Sequence, residues 1–214
     1  MKHGYTGQVL DFLFPKTLPK GPFLAKYQPV RLDTPQLRLQ GLDAVYRVVA
    51  AASYRNLHRE IRALKYCQGT HLLGDLVELL VRASALLPMS DQVFLCPVPL
   101  HWSRRLLRGY NQSQLLAQEL ALRLSVPMFT ELRRVRATLP QTRRSHDERR
   151  HAVQHAFHSL PCMNKHIILV DDVCTTGATL NACACALHDA GAKRIDGLVL
   201  AQSFDPSTSS GQAG

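Results

Sequence analysis

The chain has 214 residues, 46% of them hydrophobic and 20% charged, enough apolar material for a sizeable core and too little charge for wholesale disorder. No apolar run reaches the roughly 18–20 residues of a membrane span, the first eight residues carry no apolar signal core, and six scattered Cys lack the density of a disulfide scaffold. The expectation is a soluble cytoplasmic protein with reduced thiols, whose 26 basic and 16 acidic side chains leave a formal charge of +10 suited to phosphate-bearing partners.

Residues 1–40 are punctuated by Pro and Lys (FPKTLPKGPF, QPVRLDTPQ) and read as an extended arm, because Pro fixes its own φ and biases the residue before it towards extended backbone. Residues 44–52 (AVYRVVAAA) suggest a strand, and residues 54–65 a helix with Leu57, Ile61 and Leu64 at helical spacing, closed by Gly69. Residues 72–87 suggest another helix, ended by Pro88, and residues 93–98 (VFLCPV) a short buried strand. An Arg-rich turn follows at 101–111, then a helix at 112–124 with Leu115, Leu116, Leu120 and Leu124 on its apolar stripe.

Residues 132–150 are polar, Arg-studded and aperiodic, as in a loop or a helix ordered only by a ligand. Residues 167–170 (IILV) form the clearest strand, residues 180–190 a helix stopped by Gly191, and residues 195–200 a further strand. Strands alternating with helices imply an α/β domain with a mostly parallel sheet, over residues 42–202. Residues 203–214 (SFDPSTSSGQAG) read as a low-complexity, disordered tail.

Two features point to chemistry. Between His101 and Arg150 stand eleven Arg, no Lys and four acids, a composition that favours forked pairing with phosphate oxygens. Residues 167–180 (IILVDDVCTTGATL) place two acids at the end of an apolar strand and a Thr/Gly turn at the start of a helix. In open α/β sheets ligands bind beyond the carboxyl ends of the strands. A helix start lined by small residues offers backbone N–H groups to an anion, and Thr175, Thr176 and Thr179 add hydroxyls while Gly177 permits close backbone approach. Adjacent carboxylates repel phosphate but accept hydrogen bonds from vicinal hydroxyls. A ribose phosphate fits both halves. A capping Asp alone would need neither a second acid nor three Thr within five residues.

ILVDDVCTTGATL resembles the phosphoribosyl-pyrophosphate motif of type I phosphoribosyltransferases. CPVPLHWSRRLLRGYNQSQLLAQELA (96–121), YRNLHREIRALKYCQG (54–69) and QTRRSHDERRHAVQHAF (141–157) are similar to three blocks of the ComF/GntX family, linked to competence and DNA uptake in bacteria. The resemblance implies a type I phosphoribosyltransferase-like fold with an N-terminal arm over residues 1–41. That arm stands where relatives carry two CxxC pairs for zinc; here no Cys precedes Cys67, so no zinc is expected. In the third block the family's Asn falls on Ala152.

The resemblance further implies that Asp171 and Asp172 take the ribose hydroxyls and that Thr175, Thr176, Gly177, Ala178 and Thr179 cradle the 5-phosphate. Arg104, Arg105 and Arg108, with Arg143, Arg144 and Arg149 from a closing hood, would meet a pyrophosphate bridged by Mg2+. The implied ligand is phosphoribosyl pyrophosphate or a nucleotide. Pentosyl transfer, single-stranded DNA binding with competence proteins as partners, and ligand sensing without turnover stay open as alternatives. Tyr110 and Trp102 are available for stacking on bases.

Overall fold

The computed structural model describes residues 27–39, 42–66, 72–89, 92–100, 109–135 and 156–203. Their elements run β1 (Val30–Asp33), α1 (Thr34–Leu39), β2 (Arg47–Ser53), α2 (Tyr54–Tyr66), α3 (Leu73–Ser84), β3 (Val93–Pro97), α4 (Gln112–Leu124), β4 (Leu132–Arg134), β5 (Phe157–Ser159), β6 (His166–Cys174), α5 (Ala178–Asp189) and β7 (Arg194–Gln202).

Five strands form one sheet in the order β1-β2-β7-β6-β3, parallel except for β1, which runs antiparallel to β2. The central strands are apolar on both sides, as a sheet covered on two faces requires: β2 buries Val48 to Ala52, and β7 buries Ile195 to Gln202. The three Ala of β2 are good helix formers held in a strand by this two-sided burial, since tertiary packing outweighs propensity. On one face, Leu57, Ile61 and Leu64 of α2, Leu76 and Leu80 of α3, and Leu116 and Leu120 of α4 pack over Ile168, Val170, Leu198 and Leu200. On the other, Leu180, Cys183, Ala184 and Leu187 of α5 pack over Ile167, Leu169 and Val199, joined by Leu37 of α1. The result is a three-layer α/β fold, as the alternation of elements implies. Among the described residues no helix is long and apolar enough to cross a membrane.

Three expectations are corrected. Residues 30–39, read as part of an extended arm, instead add an edge strand and a short helix to the domain. Pro29 stands just before β1, and Pro35 sits in the first turn of α1, where a missing N–H costs little; Arg47 Nε donates to Asp33 Oδ1 at 2.6 Å and joins β1 to β2. The helix at 72–87 stops at Ser84, before Pro88, and its end is closed by turn bonds from Leu86 N to Ala83 O and Leu87 N to Ser84 O. The stretch read as an aperiodic loop from Leu132 begins with a three-residue strand, β4, paired antiparallel with β5; three residues are too few to show a period. Residues 136–155, Gly69, Trp102 and the tail from 204 lie outside the described residues.

Candidate functional site

The helices that follow β3 and β6 go to opposite faces of the sheet: α4 packs on one core and α5 on the other. Where neighbouring parallel strands send their connections apart, a crevice opens at their carboxyl ends. The crevice here lies between Pro97 of β3 and the end of β6, and it is where the paired acids sit.

The strand is longer than its apolar run. It continues through Asp171 and Asp172 to Cys174, pairing Asp171 with Val199 and Cys174 with Gln202, so the acids lie inside β6, as its sixth and seventh residues of nine, and not beyond its end. The backbone ladder is indifferent to side-chain polarity, which is why hydropathy stops the strand at Val170 and the structure does not.

Each acid is held by a different helix. Ser113 Oγ, in the first turn of α4, donates to Asp171 Oδ1 at 2.7 Å, and the Asp172 backbone N–H donates to the same oxygen at 2.9 Å. Lys65 Nζ, at the end of α2, lies 2.9 Å from Asp172 Oδ2. Asp172 is buried at 8% exposure, and Asp171 is half-buried. Burial, and next to it the Asp172 charge, push the Asp171 carboxyl up to about 7, against the opposing hydrogen bonds from Ser113 and the Asp172 amide and the Lys65 charge.

Ser113 is itself fixed from below. The Asn111 side chain accepts from Ser113 N and donates through Nδ2 to Val98 O, which ties the N-terminus of α4 to the segment leaving β3. The Tyr110 hydroxyl donates to Leu64 O, next to Lys65, and so links the two helices that hold the acids. Tyr110 is thus a positioned packing residue with its hydroxyl committed.

The turn after β6 has Thr175 exposed and Thr176, Ala178 and Thr179 half-buried. Gly177 is buried and adopts φ +71°, the left-handed conformation at the N-cap of α5. A Cβ there would come within 2.2–2.7 Å of the Leu42 side chain. The glycine is therefore demanded by backbone conformation and by Leu42 behind it, a reason the sequence reading did not contain. With no side chain at the N-cap, α5 receives no side-chain cap there; within the turn Ala178 N donates to Thr176 Oγ1 at 3.4 Å and the Gly177 N–H faces the Cys174 sulfur. First-turn amides and the positive end of the helix dipole face the crevice end of the sheet. Cys174, just before, is buried, and burial pushes its thiol up to about 12, so it is a packing residue rather than a nucleophile.

The structure thus brings Asp171, Asp172, Thr175, Thr176, Gly177, Ala178 and Thr179 to one end of the sheet. Arg104, Arg105, Arg108, Arg143, Arg144 and Arg149 lie outside the described residues. Lys65 and Ser113 were missed: both stand in the blocks ALKY and YNQS, but neither spacing nor hydropathy reveals a contact across 107 or 58 positions.

Residues 111–208 match the family model described as the phosphoribosyl transferase domain. The chain is 35% identical over 159 residues to the DNA utilization protein YhgH of Salmonella typhi, which covers 70% of this chain and 69% of that protein. It is 34% identical over 158 residues, with the same shares, to the protein of that name in Escherichia coli strain K12. Over 104 residues it is 38% identical to Competence protein F of Haemophilus influenzae, covering 46% of this chain and 45% of that one.

Proposed function

The chain belongs to the ComF/GntX family of type I phosphoribosyltransferase-like proteins, and from that premise we propose that it binds phosphoribosyl pyrophosphate with Mg2+ and serves competence and DNA uptake. The observation that carries this reading is the pair Asp171 and Asp172, pinned by Ser113 and Lys65 beside an N-terminal helix turn that lacks a capping side chain.

Each residue then has a task. Ser113 and the Asp172 amide both occupy Oδ1 of Asp171, which leaves Oδ2 to accept from a ribose hydroxyl; Asp172 accepts from the neighbouring hydroxyl. The turn from Thr175 to Thr179 receives the 5-phosphate through its amides and hydroxyls. Arg104, Arg105, Arg108, Arg143, Arg144 and Arg149 are the proposed cations for the pyrophosphate arm. Mg2+ would add positive charge against the pyrophosphate oxygens alongside these arginines. Among the described residues no cluster of three or more His, Cys, Asp or Glu side chains could hold a cation unaided, so the ligand's own phosphate oxygens would supply the donors that suit Mg2+.

Isothermal titration with phosphoribosyl pyrophosphate and Mg2+ tests the proposal: saturable binding is expected for the wild type, and its loss for Asp171→Ala/Asp172→Ala. Equal affinity in both would end it. Product formation with a panel of bases and amines then separates transfer from sensing.

A second reading rests on a different surface. Arg55, Arg59 and Arg62 stand exposed along one stripe of α2, spaced at i, i+4 and i+7, which suits the backbone of single-stranded DNA. If the three contact one phosphate each, their combined replacement by Ala should flatten the slope of log affinity against log salt by about 2, at about 0.7 per phosphate.

A further inference from the structure

The two acids are reached by short relays that start from neighbouring residues, Tyr110 and Asn111, at the N-terminus of α4. We propose that these two are positioning residues for ligand binding, each acting on one acid through one intermediary: Asn111 through Ser113 on Asp171, and Tyr110 through Lys65 on Asp172. The proposal rests on the reading of the acids as the pentose cradle and adds the residues one step behind them.

Asn111 is the N-cap of α4, in extended backbone at φ −103° and ψ 115°, and its carbonyl accepts the first bond of the helix from Leu115 N. Its side chain is held at both ends: Nδ2 donates to Val98 O and Oδ1 accepts from Ser113 N, each at 3.1 Å. The second bond is the ordinary cap. The first hangs the helix start from the segment that leaves β3. A serine hydroxyl rotates to suit its partners, so its aim depends on where the backbone holds it. Ser113 is buried at 5% exposure, and its Oγ donates to Asp171 Oδ1 at 2.7 Å. A helix start without its cap leaves amides unsatisfied and frays, and the hydroxyl then loses its aim.

The other relay ends on α2. Leu64 is among the last four residues of that helix, whose carbonyls lack a partner within it, and the Tyr110 hydroxyl donates to its oxygen. Lys65, the next residue, brings Nζ to 2.9 Å from Asp172 Oδ2. Tyr110 thereby fixes the turn from which a flexible four-carbon side chain reaches a buried acid. Gly109, just before it, adopts φ +79° with open space where a Cβ would stand. The left-handed bend that presents Tyr110 and Asn111 is therefore what calls for glycine there.

One carboxyl senses both relays. The Ser113 hydrogen bond and the Lys65 charge each favour ionised Asp171, against burial and the Asp172 charge. The other titratable groups around it are the Cys174 and Cys183 thiols, on β6 and α5, both pushed up by burial and so uncharged near neutral pH. Loosening either relay therefore raises the pH at which Asp171 ionises, with Asp171 itself unaltered.

The experiment follows the Asp171 carboxyl by carbon-13 NMR of the full chain labelled at aspartate, without ligand, with Asp171→Asn supplying the assignment. Asn111→Ala is expected to raise the titration midpoint in the wild type and to add nothing in a Ser113→Ala chain. Asn111→Ser keeps a capping oxygen for Ser113 N and should bring the midpoint back towards the wild type. Tyr110→Phe is expected to raise it in the wild type and not in Lys65→Met. At pH 7 the affinity for phosphoribosyl pyrophosphate with Mg2+, read by calorimetry, should weaken about fivefold in Asn111→Ala, the worth of one hydrogen bond. The proposal is overturned if Asn111→Ala or Tyr110→Phe leaves the midpoint in place, or if either shift persists in full once Ser113 or Lys65 is gone. Unchanged affinity in Asn111→Ala overturns it as well. A wild type that binds no phosphoribosyl pyrophosphate would refute the cradle instead, and the midpoints, read without ligand, still decide the relays.

Discussion

The Asp171 carboxyl carries a pH dependence with a definite sign. Its pKa in the folded chain is raised from 3.8 to about 7, so between those values the folded state holds more protons than the unfolded one and stability falls as pH rises. Asp171→Asn keeps an acceptor for Ser113 and removes the titration. Urea midpoints should therefore converge near pH 4 and favour the Asn variant increasingly up to pH 8. A constant difference across that range would mean that Asp171 does not titrate there. Ligand hydroxyls need the ionised acceptor, so affinity for phosphoribosyl pyrophosphate should strengthen as pH passes through about 7. Lys65→Met leaves the buried Asp172 carboxylate without its cation, and a loss of roughly 1.5–3 kcal/mol is expected in denaturant unfolding, the scale of a hydrogen bond to a charged group. Gly177→Ala should lose about 1–2 kcal/mol from left-handed backbone alone, and more from the Leu42 contact.

At the scale of elements, the two ends of the sheet divide their duties. The carboxyl ends hold the acids. At the opposite end Asp196, the third residue of β7 and fully buried, accepts from His166 Nε2 and Arg194 Nε, both at 2.7 Å. Burial works to raise its pKa, but the hydrogen bonds from His166 and Arg194 and their charges prevail and hold it below the ordinary carboxylate value. Asp196→Ala strands those partners and should destabilise by roughly 3–5 kcal/mol, yet leave the affinity for phosphoribosyl pyrophosphate at the other end unchanged. The elements themselves were largely legible. Helical spacing of Leu57, Ile61 and Leu64 located α2, and the apolar runs located β3 and the start of β6, because burial on a fixed period writes itself into the side chains. The edge strand β1, the ribbon β4–β5 and the last four residues of β6 were not legible: strands of four and three residues are too short to establish a period, and the end of β6 rests on backbone pairing. The acids were found from their sequence neighbours; the partners that hold them come from remote helices and had no local trace.

Across the whole molecule, the thiols follow the two-core plan. Cys96, Cys162, Cys174 and Cys183 are buried in the core that also holds α5, whereas Cys185 is exposed two residues further along the same helix. Among these five, a thiol reagent should label Cys185 within the native protein and the rest only as fast as the fold opens. Rapid native labelling of Cys174 would mean that the turn after β6 opens locally.

Leu42, in the connection from α1 to β2, is the residue wedged behind Gly177, and nearby Ala44 N donates to Asn181 Oδ1 in α5. The bend that would meet a phosphate is thus braced by a piece of chain more than 130 positions upstream. Changes made around that brace, though remote from any ligand atom, should loosen the bend and be felt as weaker retention of the cargo, so that screening for tighter or slacker grip can begin at residue 42.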